Sequence, residues 1–565
     1  MDAAMRDWRR YAFMLVMAYA LVYLLPLGVR PVTIPDEARY AEIPREMITS
    51  GDWVTPRLNG LRYFEKPVLG YWVTAISMSL FGENAFAMRL PSALAAGLSA
   101  LAVFLLLRRF GRGPRTSLSG AMIYLSMLGV FLVGTINLLD TVFSFLLTAA
   151  FTAFYFSHRE PISGRRNFYL VLLGVFCGAA FLSKGFLAFA LLGLVVAPFV
   201  IREGHWRELY SRGWLPLLVT GVVVAPWAIQ VHLAQPDYWH YFFWEEHIKR
   251  FASDNAQHSE PFWYYLMFLP LMAMPWTGLL PVAVAGLRAE DRSSDTRSLV
   301  RYAWFWLLLP LLFFSISRGK LPTYILPCLA PLAVLVAIGV ESALRIGREK
   351  LFRFGGWLVL VFYAALLLLI VLVQSGVTES PVWYANEAWK WLLFCAALAA
   401  GVVLVWLAMR EPSRGKRLVL FAASMTALML TTQFALPQRT ADSKMPGAFL
   451  RAHASEIMPD AVLVSDDIMI HAVNWFFKRS DVFMISAGES AYGLSFEDSK
   501  HRLIEYNGLK SFIDEHAGRQ PLVIVYHTDS DHRVRPLMPP NAVEYHQGLF
   551  VIWIIPADAD SGSAG

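Results

Sequence analysis

The residues able to do chemistry in this sequence are carboxylates and cations set directly against apolar runs. Asp36 and Glu37, in TIPDEARYAE, follow closely on the apolar stretch 11–29. The segment 33–72 adds Arg39, Glu42, Arg45, Glu46, Arg57, Arg62, Glu65 and Lys66. Paired acids can act as a general base or hold a hydroxyl, phosphate or amine, and neighbouring cations suit a phosphate. Trp53, Tyr63, Phe64, Tyr71 and Trp72 are of the types that anchor at a membrane interface, so this polar segment is expected beside lipid headgroups. A merely solvated loop is the bland alternative.

Further candidates lie at other apolar boundaries. Asp140, in NLLDT, falls between two apolar runs, where a carboxylate is costly and marks function more often than not; helix capping is the competing role. Lys184, in FLSKG, ends an apolar run and can snorkel as a simple anchor. The aromatic-rich stretch 235–265 carries Glu245, Glu246, His247, Lys249 and Arg250. It reads as a groove lined by lipid-facing rings with polar tips, or as an interfacial helix. His247 or His258 with a carboxylate such as Glu65 is the candidate for a divalent metal, although no HxxxH or CxxC spacing supports one. In SRGKLPTYILP, Arg318 and Lys320 are two cations flanking Gly319 at a helix start, an arrangement that suits phosphate.

The elements that position these residues are membrane spans. Only 16% of the 565 residues are charged and 56% are hydrophobic, against about 25% charged in soluble domains, so the class is membrane protein. A span needs roughly 20 apolar residues, which predicts about thirteen helices. They cover 11–29, 87–107, 117–136, 139–157, 168–184, 186–201, 214–232, 262–286, 300–316, 321–341, 355–375, 388–409 and 417–436. The stretch 67–82 is too short and is expected at the interface. Leaving it out puts the basic clusters on one side throughout, from Arg6/Arg9/Arg10 through Arg108/Arg109/Arg112/Arg115 and Arg288/Arg292/Arg297/Arg301 to Arg410/Arg414/Lys416/Arg417. By the positive-inside rule the N-terminus is then cytoplasmic, and the segment 30–86 and the tail lie outside. The first span reads as a retained targeting signal. Cys177, Cys328 and Cys395 lie in apolar runs and read as small buried residues.

After residue 436 the charge rises, and short β-like runs appear: AVLVS, DVFMI, PLVIVY and LFVIWII. Helical stretches near 467–478 and 497–516 separate them, so 437–565 is expected to be a small soluble α/β domain beside a transmembrane domain 1–436. The last eight residues read as disordered. No Walker motif or GxGxxG at a strand–helix junction appears, which removes cytosolic nucleotide chemistry; no nucleic-acid partner is expected.

The words PDEARYAE, FEKPVLGYW, NLLDT, LSKG, PDYWHYFFWEEHIKRF, EPFWYY and GKLPTYILP resemble the lipid A 4-amino-4-deoxy-L-arabinose transferases, within the wider dolichyl-phosphate-mannose protein mannosyltransferase group. The resemblance covers most of the membrane part and is weak in the tail. It implies a type C glycosyltransferase fold, an undecaprenyl phosphate-linked donor, a lipid A phosphate as acceptor, a site at the periplasmic face of a bacterial inner membrane, and resistance to polymyxin. It implies Asp36, Glu37 and Asp140 as catalytic candidates. Substrate-binding candidates are Arg39, Tyr40, Tyr63, Glu65, Lys66, Lys184, Arg250, Arg318, Lys320 and Tyr324, and the chain is expected to act as a monomer among membrane lipids. A protein O-mannosyltransferase-like enzyme is the first rival. A lipid transporter is a weaker one, since it calls for mid-span charges and repeated halves, and the sequence has neither.

Overall fold

The computed structural model describes residues 2–111, 113–161, 163–249, 259–289, 293–376, 381–516 and 518–557. Arg112, Arg250, His258, Arg292 and the final residues 558–565 lie outside the described residues, as does the side chain of His247. Among the described residues, ten helices are long and apolar enough to cross a membrane, or twelve if each of two bent pairs is one span.

The predicted segments map onto these helices with informative exceptions. Segment 117–136 is Pro114–Leu125 followed by Leu128–Gly134, bent by 60°. There Met127 leaves the helical region for an extended conformation and starts the second helix. Segment 262–286 breaks by 98° between Tyr264–Met272 and Trp276–Arg288. Pro275 lies at this break, where proline's missing N–H interrupts the helical ladder. Segment 186–201 is a 16-residue helix, Leu187–Arg202. The stretch 67–82 forms the 13-residue helix Leu69–Phe81, about 20 Å at 1.5 Å per residue and too short to span a bilayer.

The chain folds into two compact units. The helical unit comprises Met1–Leu27, Arg89–Pro381 and Ala388–Ala435. Its most enclosed span is Pro322–Arg345, 89% buried, whereas Trp214–Ala234 is 17% buried and presents its apolar side chains outward, as a lipid-facing helix does. Small residues let the central helices approach: a Cβ on Gly339 would lie 2.3 Å from the carbonyl oxygen of Ala283.

The second unit comprises Gly28–Met88, Val382–Glu387 and Leu436–Gly565. The segment 30–86 is therefore built into one body with the tail. Its centre is a five-stranded mixed sheet of β3 (Val462–Ser465), β4 (Phe483–Met484), β5 (Leu522–His527), β6 (Val543–Gln547) and β7 (Phe550–Ile555), in the order β4-β3-β5-β7-β6. β3 pairs parallel with β4 and β5; β7 runs antiparallel to β5 and β6. Alternation along β5 gives the sheet two buried faces. Leu522, Ile524 and Tyr526 pack with Leu509 and Ile513 of the helix Glu505–His516. Val523 and Val525 pack in the cluster that holds Ala38, Ala41, Met78 and Met88, together with Ile470 and Val473 of the helix Ile470–Phe477. The helices of segment 30–86 thus complete one of the two faces of this unit's core.

A two-stranded hairpin, β1 (Arg57–Leu58) with β2 (Leu61–Arg62), turns at Asn59-Gly60, both at positive φ (57° and 72°). That is the geometry Asn-Gly favours in two-residue hairpins. The buried Asn59 side chain donates to the Val482 carbonyl at 2.8 Å and accepts from the Val482 N–H at 3.1 Å, so one amide acts as a short strand against the tail.

Candidate active site

Two constellations of the expected residues are formed, one in each unit. In the sheet-containing unit, the helix Asp36–Ser50 begins with two acids in its first turn, where the positive end of the helix dipole favours them. Their side chains diverge. Glu37 is 1% exposed and turns back, accepting from the Thr33 N–H at 3.1 Å and the Thr33 hydroxyl at 2.9 Å. Both bonds run from Thr33 to the same carboxylate oxygen and tie the entering segment to the helix's first turn. Asp36 points outward with its side chain 55% exposed and accepts from Arg39 at 2.5 Å.

Arg39 holds this corner. Its side chain is 6% exposed and forms ion pairs with Asp36 and with Glu489, while its guanidinium lies 4.9 Å from the centre of the Tyr40 ring. Tyr40 stacks with Tyr71 at 6.3 Å. The buried Tyr63 hydroxyl reaches Glu489 at 3.5 Å, and burial raises the Tyr63 phenol well above its ordinary value, keeping it a proton donor. His471 lies behind Arg39; burial, then the charge of Arg39, pushes its imidazole down to about 3, so it is neutral at physiological pH. Lys66 donates to the carbonyl of Glu65 at 2.9 Å. The result is one exposed carboxylate on a rigid buried guanidinium, with aromatic rings around it.

The same helix continues into a buried acidic pair. Glu42 receives two hydrogen bonds from Arg45, at 2.8 and 2.6 Å. Glu46 accepts from the Gly60 N–H at 2.9 Å. Burial, then the neighbouring Glu42, pushes the Glu46 carboxyl up to about 8.

In the helical unit, Asp140 and Lys184 meet. Asp140 stands in the first turn of the helix Leu139–Arg159 and Lys184 is the last residue of Gly164–Lys184, each at the dipole end that favours its charge. Their side chains pair at 2.9 Å and are 14% and 12% exposed. The Lys184 ammonium also lies 5.3 Å from the centre of the Tyr324 ring. Three residues that lie far apart in the sequence therefore form one charged, aromatic-walled group.

Arg318 and Lys320 separate. Lys320 is 3% exposed and donates to the carbonyls of Ser317 and, at 2.7 Å, of Glu260. It ties 317–320 to 259–260, where Ser259 and Gly319 form an isolated bridge. The Arg318 side chain is exposed. Among the described residues, no group of three or more His, Cys, Asp or Glu is placed to hold a metal ion. The pairing expected of Glu65 and His247 depends on a side chain outside the described residues. Glu489 was missed by sequence reasoning. It sits in a short 3-10 turn, Gly488–Ser490, with no motif around it, and gains its role only by meeting Arg39.

Comparisons with known proteins agree over nearly the whole chain. The family described as "Dolichyl-phosphate-mannose-protein mannosyltransferase" matches residues 8–242, and "Arabinosyl transferase ArnT, C-terminal domain" matches 441–554. The undecaprenyl phosphate-α-4-amino-4-deoxy-L-arabinose arabinosyl transferase of Aeromonas salmonicida is 41% identical over 531 residues, 93% of this chain and 95% of that protein. A similarly named Pseudomonas fluorescens protein is 39% identical, over 97% of this chain and 99% of its own length. The crystal structure of ArnT from Cupriavidus metallidurans bound to undecaprenyl phosphate superimposes with a TM-score of 0.82 at 24% identity, covering 98% of this chain and 99% of that one. The fold and these relationships define a multi-pass membrane glycosyltransferase of the type C fold. Within that class, the chain belongs to the undecaprenyl phosphate-α-4-amino-4-deoxy-L-arabinose arabinosyl transferase family.

Proposed function

We propose that this enzyme transfers 4-amino-4-deoxy-L-arabinose from undecaprenyl phosphate to a phosphate of lipid A, at the periplasmic face of the bacterial inner membrane. The observation that carries this reading is Asp36, an exposed carboxylate anchored by the buried Arg39 in a chain that belongs to this transferase family. The distribution of basic residues supports a cytoplasmic N-terminus and a periplasmic sheet-containing unit.

In the reaction an oxygen of the acceptor phosphate attacks the anomeric carbon of the sugar. The bond from that carbon to the carrier phosphate breaks, and undecaprenyl phosphate leaves with the electron pair. A single displacement inverts the anomeric centre. The acceptor is already anionic at neutral pH, a phosphate monoester carrying about −1.5 charge or more, so a strong base is dispensable. Asp36 then orients the acceptor and holds the donor's ammonium, and Lys66 of the same unit supplies positive charge for the departing phosphate. Arg39 and Glu37 position Asp36. In the helical unit, Lys184 with Tyr324 positions Asp140. Transfer would place an amine on an anionic surface, lowering its attraction for cationic peptides such as polymyxin.

The test is mass spectrometry of lipid A from a transferase-null Gram-negative strain complemented with the wild type or Asp36→Asn. Gain of one aminoarabinose with the wild type alone is expected. No gain with either, despite sound membrane expression, would move the reading to another sugar or acceptor on the same fold.

A further inference from the structure

The helical unit contains a recess formed by none of the residues discussed as site residues. It is a cavity of about 280 Å³, walled by the span Arg9–Gly28, the helix Pro114–Leu125, and the helices Arg414–Ala423 and Thr426–Phe434. Its walls are apolar because the polar groups on them are used within the protein. The Tyr19 and Tyr23 hydroxyls donate to the Ala93 and Leu125 carbonyls, each at 2.7 Å, and the Ser126 hydroxyl donates to the Met122 carbonyl at 2.6 Å. Their ring faces and methylenes are what remains toward the cavity.

The lining runs from Tyr11 to Tyr23 on the first span, about 18 Å at 1.5 Å per residue. That is the reach of one extended acyl tail. Phe13 and Val16 on the same span are 66% and 61% exposed, so this helix stands at the lipid boundary and a tail can enter sideways.

Arg115, Glu341 and Arg414 also line the recess, Arg115 and Arg414 from the first turns of the helices Pro114–Leu125 and Arg414–Ala423. The Glu341 carboxylate lies 3.9 Å from Arg345. Among the described residues, neither Arg115 nor Arg414 has an ion-pair partner. Two arginines lining a largely apolar, tail-length slot match an anionic headgroup joined to a hydrocarbon chain, because guanidinium groups bind phosphate through charge-assisted hydrogen bonds. We propose that this recess binds an anionic phospholipid, with one acyl tail in the cavity and the phosphate on Arg115 and Arg414. A zwitterionic phospholipid would bring an ammonium group to the same arginines and is disfavoured. Both arginines belong to the basic clusters assigned to the cytoplasmic side, opposite the face proposed for transfer, which favours a resident phospholipid over the sugar carrier.

The experiment uses the full chain in nanodiscs of phosphatidylcholine doped with phosphatidylglycerol carrying a photoactivatable acyl tail. Peptide mapping should place the label on 11–23 and 115–126, with labelling reduced about tenfold in the double variant Arg115→Gln/Arg414→Gln. Ala423→Trp, which fills the slot from the opposite wall, should reduce it similarly while leaving the arginines in place. Equal labelling of the wild type and the arginine variant would overturn the proposal. So would displacement of the label by polyprenyl phosphate but not by unlabelled phosphatidylglycerol, since that outcome would make the recess a carrier site.

Discussion

Asp36 and Glu37 are neighbours of the same chemical type, yet they have opposite surroundings. Glu37 is buried and accepts from Thr33, and Asp36 is held outward by Arg39. Asp36→Asn removes the charge but keeps the shape, and transfer should fall at least about 100-fold with the melting temperature unchanged; lipid A mass spectrometry and a thermal melt check both. Glu37→Gln retains an acceptor oxygen for Thr33 and should keep most of the activity. A Glu37→Gln enzyme as dead as Asp36→Asn would show that Glu37 takes part directly. For the ion pair of Asp140 and Lys184 the argument is desolvation. Lys184→Ala leaves a largely buried carboxylate without its counter-charge and should cost about 3 kcal/mol of stability. Adding Asp140→Leu should restore much of that stability and none of the activity, a split that separates a functional pair from a purely structural one.

Among the elements, the hairpin β1–β2 joins segment 57–62 to the tail through a single turn. Gly60 has φ +72°, and a Cβ there would lie 2.7 Å from the Ser480 carbonyl oxygen. Gly60→Ala should therefore destabilise the sheet-containing unit by about 1–3 kcal/mol, read as increased hydrogen exchange in the peptides 57–62 and 480–484. Asn59→Ala should have a comparable effect, because it strands the buried N–H of Val482, while the Val482 carbonyl keeps Arg502 as a donor. Wild-type protection in both variants would mean that the hairpin is not what fastens these segments. The same reasoning assigns Lys320 to the framework: its ammonium is shared between two backbone carbonyls, so Arg318 is the cation of that turn still presented outward.

At the scale of the whole molecule, pH should act through the sheet-containing unit. Burial raises the Glu46 carboxyl to about 8 and the Asp466 carboxyl to about 7. Both folded values lie above the unfolded ones, so the stability these groups contribute is complete below the unfolded carboxylate range and is lost as pH rises through the folded values. Between about pH 6 and pH 8.5 the wild-type unit should lose roughly 4 kcal/mol, about two pKa units from Glu46 and about one from Asp466 at about 1.36 kcal/mol per unit. Glu46→Gln, which keeps an oxygen for the Gly60 N–H, should flatten much of this dependence. Hydrogen exchange over 36–62, corrected for intrinsic rates at each pH, provides the measurement. A flat wild-type profile would show that Glu46 is ionised in the native state.

Much of this protein was legible from residue type and spacing. Apolar runs of span length can be satisfied only by helices in a bilayer, so the predicted segments became apolar helices, two of them broken where the backbone leaves the helical ladder. Asp36, Asp140 and Lys184 stood out because charge at the edge of an apolar run is costly wherever it occurs. β6 was missed, since an edge strand with the pattern VEYHQ carries little apolar alternation and is defined by its pairing with β7. Partnership was equally hidden. Nothing local distinguishes Glu489, or says that segment 28–88 completes the core of a sheet formed hundreds of residues later. The sequence alone determined the class of protein and where its expensive charges lie, because both follow from the solvation cost of each residue. Only the tertiary structure decided which charges meet, because an ion pair, a shared core or a lined cavity depends on chain crossings that no local pattern encodes.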